Sequence, residues 1–182
     1  MKTFFWVVVS AWLVLDSYVL LAKNKGSQHI VDRRSKFVIV AFIVTGVFLA
    51  IAPRDFRVTW RNTATFQITQ NVGVMLMVAG VVLRLISILT LGKHFTPDIA
   101  LTENHQLIRR GIYRFVRHPS YTGEILAFGG TALVFNHLLS SLVVFLFPFL
   151  GFLYRAILEE RKLLELFGEE YREYMSQTRR FI

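Results

Sequence analysis

Apolar residues in this chain come in long runs, and charged residues collect between them. A helix rises 1.5 Å per residue, so about 20 residues cross the hydrocarbon core of a bilayer. The run 4–22 is interrupted only by Asp16, the run 37–53 carries no charge, and the run 70–91 carries only Arg84. A fourth run, Ile125 to Tyr154, is uncharged and too long for one ordinary span. Asn136 and His137 divide it, which predicts a helical hairpin turning there. Pro119 suits a first helical turn and opens the first arm, while Pro148 bends the second. The pattern thus predicts helices over 4–22, 37–53, 70–91, 119–136 and 138–158.

The tail reads differently. It is rich in Glu, Lys and Arg, and Leu163, Leu164, Phe167, Tyr171 and Tyr174 recur at three- and four-residue steps. That spacing predicts an amphipathic helix over 159–178, with Gly168 a point of interruption. The expected architecture is a single all-α domain, 1–182, in which about five membrane-spanning helices precede a C-terminal cytosolic amphipathic helix. The first run is long for the core of a signal peptide and has only Lys2 before it, so it reads as a retained span.

Composition supports a membrane reading. The chain is 54% hydrophobic with a mean hydropathy of +0.48. A net charge of +9 admits nucleic-acid binding in principle, but the bases lie between apolar runs. Anionic lipid headgroups and topology explain them better. Residues 23–36 sum to +4, 54–69 to +2 and 92–120 to +3, counting Lys and Arg against Asp and Glu. With five spans, the first and third of these loops share a side with the tail. The positive-inside rule makes that side cytosolic and the N-terminus external. The chain has no cysteine, which excludes disulfides, thiolate nucleophiles and zinc–thiolate centres. Histidines and acids are too dispersed for a metal site, and there is no phosphate-binding glycine loop or dinucleotide fingerprint.

Ionisable groups concentrate at two places. Arg117, His118 and Tyr121 surround Pro119 where the fourth helix begins. Free amides and a partial positive charge at a helix start suit a carboxylate or phosphate, although interfacial anchoring explains Arg and Tyr equally well. Arg155 and Glu159, four residues apart, share a face at the end of the fifth helix, with Glu160 beside them. They read as a surface ion pair or as opposite charges facing a ligand. By the expected topology both places lie on one side, at the two feet of one hairpin. Leu91-Gly92-Lys93-His94-Phe95 reads as a helix stop. Asp16 and Arg84 are costly as lone membrane charges, so both are expected to face protein.

Taken in order, Gly111-x-Tyr113, Arg117-His118-Pro119-Ser120-Tyr121-x-Gly123, Arg155-x-x-x-Glu159-Glu160 and Phe167-Gly168-Glu169-Glu170-Tyr171-x-x-Tyr174 resemble the isoprenylcysteine carboxyl methyltransferase family. That family sits within a wider group of membrane methyltransferases that includes phospholipid methyltransferases. The likeness covers residues about 91–180 and marks the group more sharply than the substrate. It implies S-adenosylmethionine as donor and S-adenosylhomocysteine as product. The positions it assigns to the donor are His105, Gln106, Leu107, Ile108, Gly111, Tyr113, Arg117, His118, Pro119, Ser120, Tyr121 and Glu159. It associates Arg155 with the substrate, and Arg155 and Glu160 stand as the candidates for chemistry. Many relatives have Gly-Pro-Tyr where this chain has Gly111-Ile112-Tyr113. The implied acceptor is a prenylated or otherwise lipophilic molecule, with membrane lipids as surroundings and no nucleic acid or metal. Amine or phospholipid N-methylation is the rival enzyme reading, since Glu160, His118 or Tyr121 would then serve as base. A non-catalytic membrane scaffold is the rival outside enzymes, and a sterol-type reductase ranks lower.

Overall fold

The computed structural model describes residues 2–21, 27–32, 34–51, 63–92, 95, 99–102, 106–135 and 137–181. Six α-helices dominate: α1 (Lys2–Leu21), α2 (Arg34–Ile51), α3 (Thr63–Leu91), α4 (Pro119–Val134), α5 (Leu138–Phe167) and α6 (Glu169–Gln177). Two short strands, β1 (Ser27–Asp32) and β2 (Ile99–Thr102), form an antiparallel ribbon. The ribbon is a small addition to a fold that is otherwise helical, as expected. It joins two stretches read as loops, and only the fold brings segments so distant in sequence together. A 3₁₀ turn at Gly111–Arg114 precedes α4.

Two further boundaries differ from the apolar pattern. Helix α3 starts at Thr63 rather than 70, because the polar residues before the apolar run still favour helix once nucleated. Helix α5 continues to Phe167 instead of ending near 158. Its break falls at Gly168, whose φ of +52° suits a residue without Cβ, and whose N–H bonds Leu164 O at 2.9 Å. The hairpin turns between α4 and α5, and His137 Nδ1 accepts the Ser140 N–H at 3.2 Å and caps α5. Pro148 lies inside α5, buried.

Helices α3 and α4 run antiparallel on glycines. Gly73 faces Gly130, and Gly80 faces Gly123. A Cβ on Gly123 would sit 2.6 Å from Gly80 O and 2.9 Å from Arg84 N, both backbone atoms that cannot yield separately. Small residues are what let two helix backbones approach this closely. Gly123→Val is therefore expected to push α3 and α4 apart and cost about 1–3 kcal/mol, read as a lower unfolding midpoint of the purified protein. An unchanged midpoint would contradict this packing. On the other flank α2 packs against α5, with Gly46 on Phe147 and Gly151 on Ile39 and Phe42.

The core between the helices holds Val8, Trp12, Ile39, Met77, Ala127, Phe128 and Phe152. Trp12 meets Phe128 edge-on, ring centroids 4.7 Å apart. Outward, the helices present large apolar side chains such as Trp6, Val14, Phe48, Ile68, Met75 and Leu89. Apolar surface on every side of a helix bundle suits hydrocarbon better than water. Among the described residues two helices are long and apolar enough to cross a membrane, Thr65–Leu91 and Leu138–Phe167. The second half of α1, the start of α2, the end of α3, the start of α4 and the late part of α5 gather at one end of the bundle, as their polar contacts show.

Candidate active site

That end is organised by Pro119. As the first residue of α4 it needs no N–H donor, and it leaves His118 at the N-cap with extended-type φ of −122°. Tyr121, in the first turn, then reaches α5. Its hydroxyl donates to Glu159 Oε2 at 2.6 Å and accepts from Arg155 Nε at 2.8 Å. Arg155 Nη1 donates to Ser35 Oγ on α2 at 3.1 Å. The i,i+4 partners Arg155 and Glu159 are thus linked through Tyr121. A surface ion pair does not describe them, since Arg155 is buried. The His118 ring stacks on Tyr121 at 5.3 Å with planes 6° apart.

Glu160 sits one residue on and one layer deeper. Both its oxygens are taken: Oε1 by Arg117 Nε at 3.0 Å and His118 Nε2 at 3.3 Å, Oε2 by Arg180 Nη2 at 2.7 Å. Against a carboxylate acceptor, Nε2 carries the His118 proton. His118 Nδ1 lies 3.9 Å from Glu159 Oε2. The tail is stitched to the same segment. Arg117 N–H donates to Arg179 O at 2.8 Å, His118 N–H to Arg180 O at 3.2 Å, and Arg179 N–H to Phe115 O at 3.3 Å. Arg117 Nη1 donates to the Met175 carbonyl at 3.0 Å and to the Thr178 carbonyl. The arginine and histidine expected to face a ligand therefore spend their side chains on Glu160 and, for Arg117, the tail. The Glu160 carboxylate is thus engaged by three cationic or ring N–H groups that bind α4 and the tail to α5.

The segment before α4 is braced by α6. Arg109 Nη2 donates to Glu170 O at 2.7 Å, and its guanidinium lies over the Tyr174 ring at 5.6 Å. The Tyr174 hydroxyl donates to the Tyr113 carbonyl. Gly111 adopts φ +60° to enter the 3₁₀ turn, and a Cβ there would meet Thr90 Cγ2 at 3.2 Å. Tyr113 is buried, and burial together with the nearby Glu159 carboxylate raises its phenol above the ordinary tyrosine range. Burial likewise pushes Tyr174 up to about 12, against the lowering effect of Arg117 and Arg109. Both phenols therefore stay neutral at physiological pH. Leu107 and Ile108 are half-buried, Gln106 is exposed, and His105 lies outside the described residues. Gly92 closes α3 as a helix stop, while Lys93 and His94 are likewise outside them.

A cavity of about 110 Å³ opens on the other side of Tyr121. Its polar wall includes Arg155, Tyr121, Lys36, Ser120, Arg84 and Asp16. The rest is apolar, from Val19, Ile39, Val40, Ile43, Phe95 and Phe152. Asp16 and Arg84 do face protein. Arg84 Nε lies 3.0 Å from Asp16 Oδ1 and 2.7 Å from Glu124 Oε1, and Trp12 Nε1 donates to Glu124 Oε2 at 3.2 Å. Glu124 was not singled out from the sequence, nor were Ser35 and Arg180. An acid heading an otherwise uncharged run, with an arginine in the neighbouring run, was the available signal for Glu124.

The donor site can be tested against these residues. Glu159 keeps its side chain one-third exposed (33%), with Tyr121 on one oxygen only. The Tyr171 hydroxyl is buried without a hydrogen-bond partner among the described residues, close enough to feel the Glu160 and Glu159 carboxylates. An open carboxylate, an orphaned phenol and the free amides of a helix start fit a ligand with hydroxyls, an ammonium and a carboxylate.

The fold and site define a helical enzyme whose polar machinery sits at one end of an apolar bundle. A model of the isoprenylcysteine carboxyl methyltransferase family matches residues 73–165, just over half the chain. A probable protein-S-isoprenylcysteine O-methyltransferase of Oryza sativa subsp. indica is 27% identical over 177 residues, 95% of this chain and 92% of the rice protein. A solved structure of a eukaryotic intramembrane Ras methyltransferase, an isoprenylcysteine carboxyl methyltransferase, superposes with a TM-score of 0.60 at 25% identity. The match covers 98% of this chain and 73% of that one. Methanethiol S-methyltransferase 1 of Bradyrhizobium diazoefficiens is 43% identical over 68 residues, 37% of this chain and 22% of that protein. The chain belongs to the isoprenylcysteine carboxyl methyltransferase family. It is accordingly a methyltransferase, and methyltransferases in general use S-adenosylmethionine.

Proposed function

We propose that this protein is a multi-pass membrane enzyme that methylates the carboxylate of a prenylated cysteine or a similarly lipophilic acid at the cytosolic boundary. One observation carries the reading: Arg155, held by Tyr121 and Ser35, stands in the wall of a cavity whose remaining surface is largely apolar. An arginine at the polar end of an apolar slot suits an acid on a hydrocarbon body. Five helices, α1 to α5, alternate in direction across the membrane. The excess of Lys and Arg in the loops beside the site supports a cytosolic location for it.

Glu159 accepts from the donor's ribose hydroxyls or ammonium, and the Tyr171 hydroxyl lies ready to donate. The first turn of α4 offers its amides to the donor's carboxylate, with Pro119 and Ser120 setting that turn. Leu107, Ile108 and Tyr113 form the apolar side for adenine. Arg117 and His118 contribute through position, holding α4, α5 and the tail in register. When bound, S-adenosylmethionine supplies a methyl group on a cationic sulfur, whose loss to a carboxylate oxygen forms a methyl ester and leaves S-adenosylhomocysteine. A carboxylate is already ionised at neutral pH, so the residues here need only align it and exclude water. Glu160, engaged by Arg117, His118 and Arg180, serves to hold these elements together.

Purified protein given labelled donor and an S-prenylcysteine, which offers both a carboxylate and an amine, is expected to yield a product whose label is released by mild base. Label resistant to base would point to N-methylation instead. Glu159→Ala is expected to weaken donor binding at least tenfold, since a charge-assisted hydrogen bond contributes about 1.5–3 kcal/mol. Calorimetry giving wild-type affinity for that variant would remove Glu159 from the donor site.

A further inference from the structure

We propose that Asp16 is a specificity-determining residue that accepts a hydrogen bond from an N–H group of the acceptor, beside the acid that is methylated. The proposal rests on reading the cavity as the acceptor's. Its basis is the charge cluster of Asp16, Arg84 and Glu124 on α1, α3 and α4. Two carboxyl groups meet one guanidinium nitrogen, so a single cation serves two acids. Glu124 is enclosed, with 1% of its side chain exposed, and Trp12 donates to it. Asp16 is the member left open, with 24% of its side chain exposed and a place in the cavity wall. Its Oδ1 is at ion-pair distance from Arg84 without the alignment of a hydrogen bond. A carboxylate in such a wall has lone pairs to offer.

The same cavity presents the opposite charge nearby. Ser120 Oγ lies 3.5 Å from Arg84 Nη1, while Tyr121, the next residue, takes the Arg155 hydrogen bond. A hydrogen-bond acceptor and an acid-binding arginine thus share one small cavity and flank a single helical turn. That pairing fits a molecule that carries both an N–H and a carboxylate on one apolar body, such as an α-amino-acid derivative with an apolar tail. The N–H is either a free ammonium or an acylated amide. If the cluster only fastened α1 to α3 and α4, removing the Asp16 charge would alter stability and leave acceptor preference unchanged.

The test compares three acids sharing one prenyl thioether: S-prenylcysteine, its N-acetyl derivative, and the 3-thiopropionic acid that lacks nitrogen. Binding to wild type, Asp16→Leu and Asp16→Asn is measured in lipid nanodiscs without donor. Wild type is expected to bind at least one nitrogen-bearing acid about tenfold tighter than the nitrogen-free acid, as one charge-assisted hydrogen bond allows. Preference for the ammonium or for the amide identifies the source. Asp16→Leu is expected to bring all three within about twofold. Asp16→Asn, which keeps an acceptor oxygen, is expected to lose the preference for ammonium even if the leucine variant fails to fold. A wild type indifferent to nitrogen would overturn the proposal, as would a variant that keeps the wild-type preference for ammonium in Asn or for either nitrogen acid in Leu. Methyl-ester formation is read separately: esters formed without a nitrogen preference sink this inference alone. A nitrogen preference without ester from any of the three acids sinks the carboxyl-methylation reading alone.

Discussion

Arg155→Leu is expected to lower kcat/KM for the lipophilic acid at least a hundredfold, while donor affinity stays within about threefold of wild type. The expected loss, about 2.7 kcal/mol of transition-state stabilisation, corresponds to one buried charged contact to a carboxylate. Arg155 is buried, it faces the cavity, and its Nε and Nη1 are already oriented by Tyr121 and Ser35. That anchoring fixes the plane of the guanidinium, so the side chain meets an incoming acid without first paying to be ordered. Arg155→Lys should fail to restore activity, because an ammonium has no planar fork to share between Tyr121, Ser35 and a substrate. Single-turnover rates at saturating donor, with donor affinity from calorimetry, check both variants. Near-wild-type turnover in Arg155→Leu would show that the acid is held elsewhere.

The second large effect is expected at Glu160. Glu160→Leu should destabilise the protein by about 3–5 kcal/mol, because it leaves the Arg117 and Arg180 cations and the His118 ring facing an apolar group in a buried setting. Arg117 and Glu160 are both buried, at 8% and 4% side-chain exposure, so little solvent is available to compensate. The C-terminal strand-like segment should release with it, since Arg180 is held to Glu160 through Nε and Nη2. The measurable signs are an unfolding midpoint lower by roughly 10 °C and new protease sensitivity after Gln177. Glu160→Gln keeps the shape and isolates the charge, and it should fall between wild type and the leucine variant. A general base would behave otherwise: the glutamine variant would keep its stability and lose turnover. That outcome would reopen amine methylation as the reaction.

The long helices were legible because their evidence is local. Apolar runs of bilayer length, Pro119 at a helix start and Gly168 at a helix end each state a backbone preference in one or a few residues. The ordered motifs from Gly111 to Tyr174 carried the family in the same way. The ends of α3 and α5 were less legible, since polar helical turns beyond an apolar run leave no hydropathy signal. The β1–β2 ribbon left none at all, for its pairing depends on two segments meeting across most of the bundle. His118 and Tyr121 were marked as site residues by their clustering, but their division of labour was not. His118 turned to Glu160, and Tyr121 became the link between Arg155 and Glu159.

The sequence by itself determined where the apolar helices run, which side of them the bases favour, and that Arg155 and Glu159 belong to one helix face. Periodicity, length and charge are properties of neighbouring residues, and they survive without a fold. Only the tertiary structure decided which charge meets which. It set Arg84 between Asp16 and Glu124, engaged Glu160 with Arg117, His118 and Arg180, and left Asp16 and Arg155 in the wall of one cavity. Such pairings depend on the close approach of α3 and α4 along their glycines and on the return of the tail to α4. A buried charge is stable only where packing delivers its partner, and that delivery is a property of the assembled bundle.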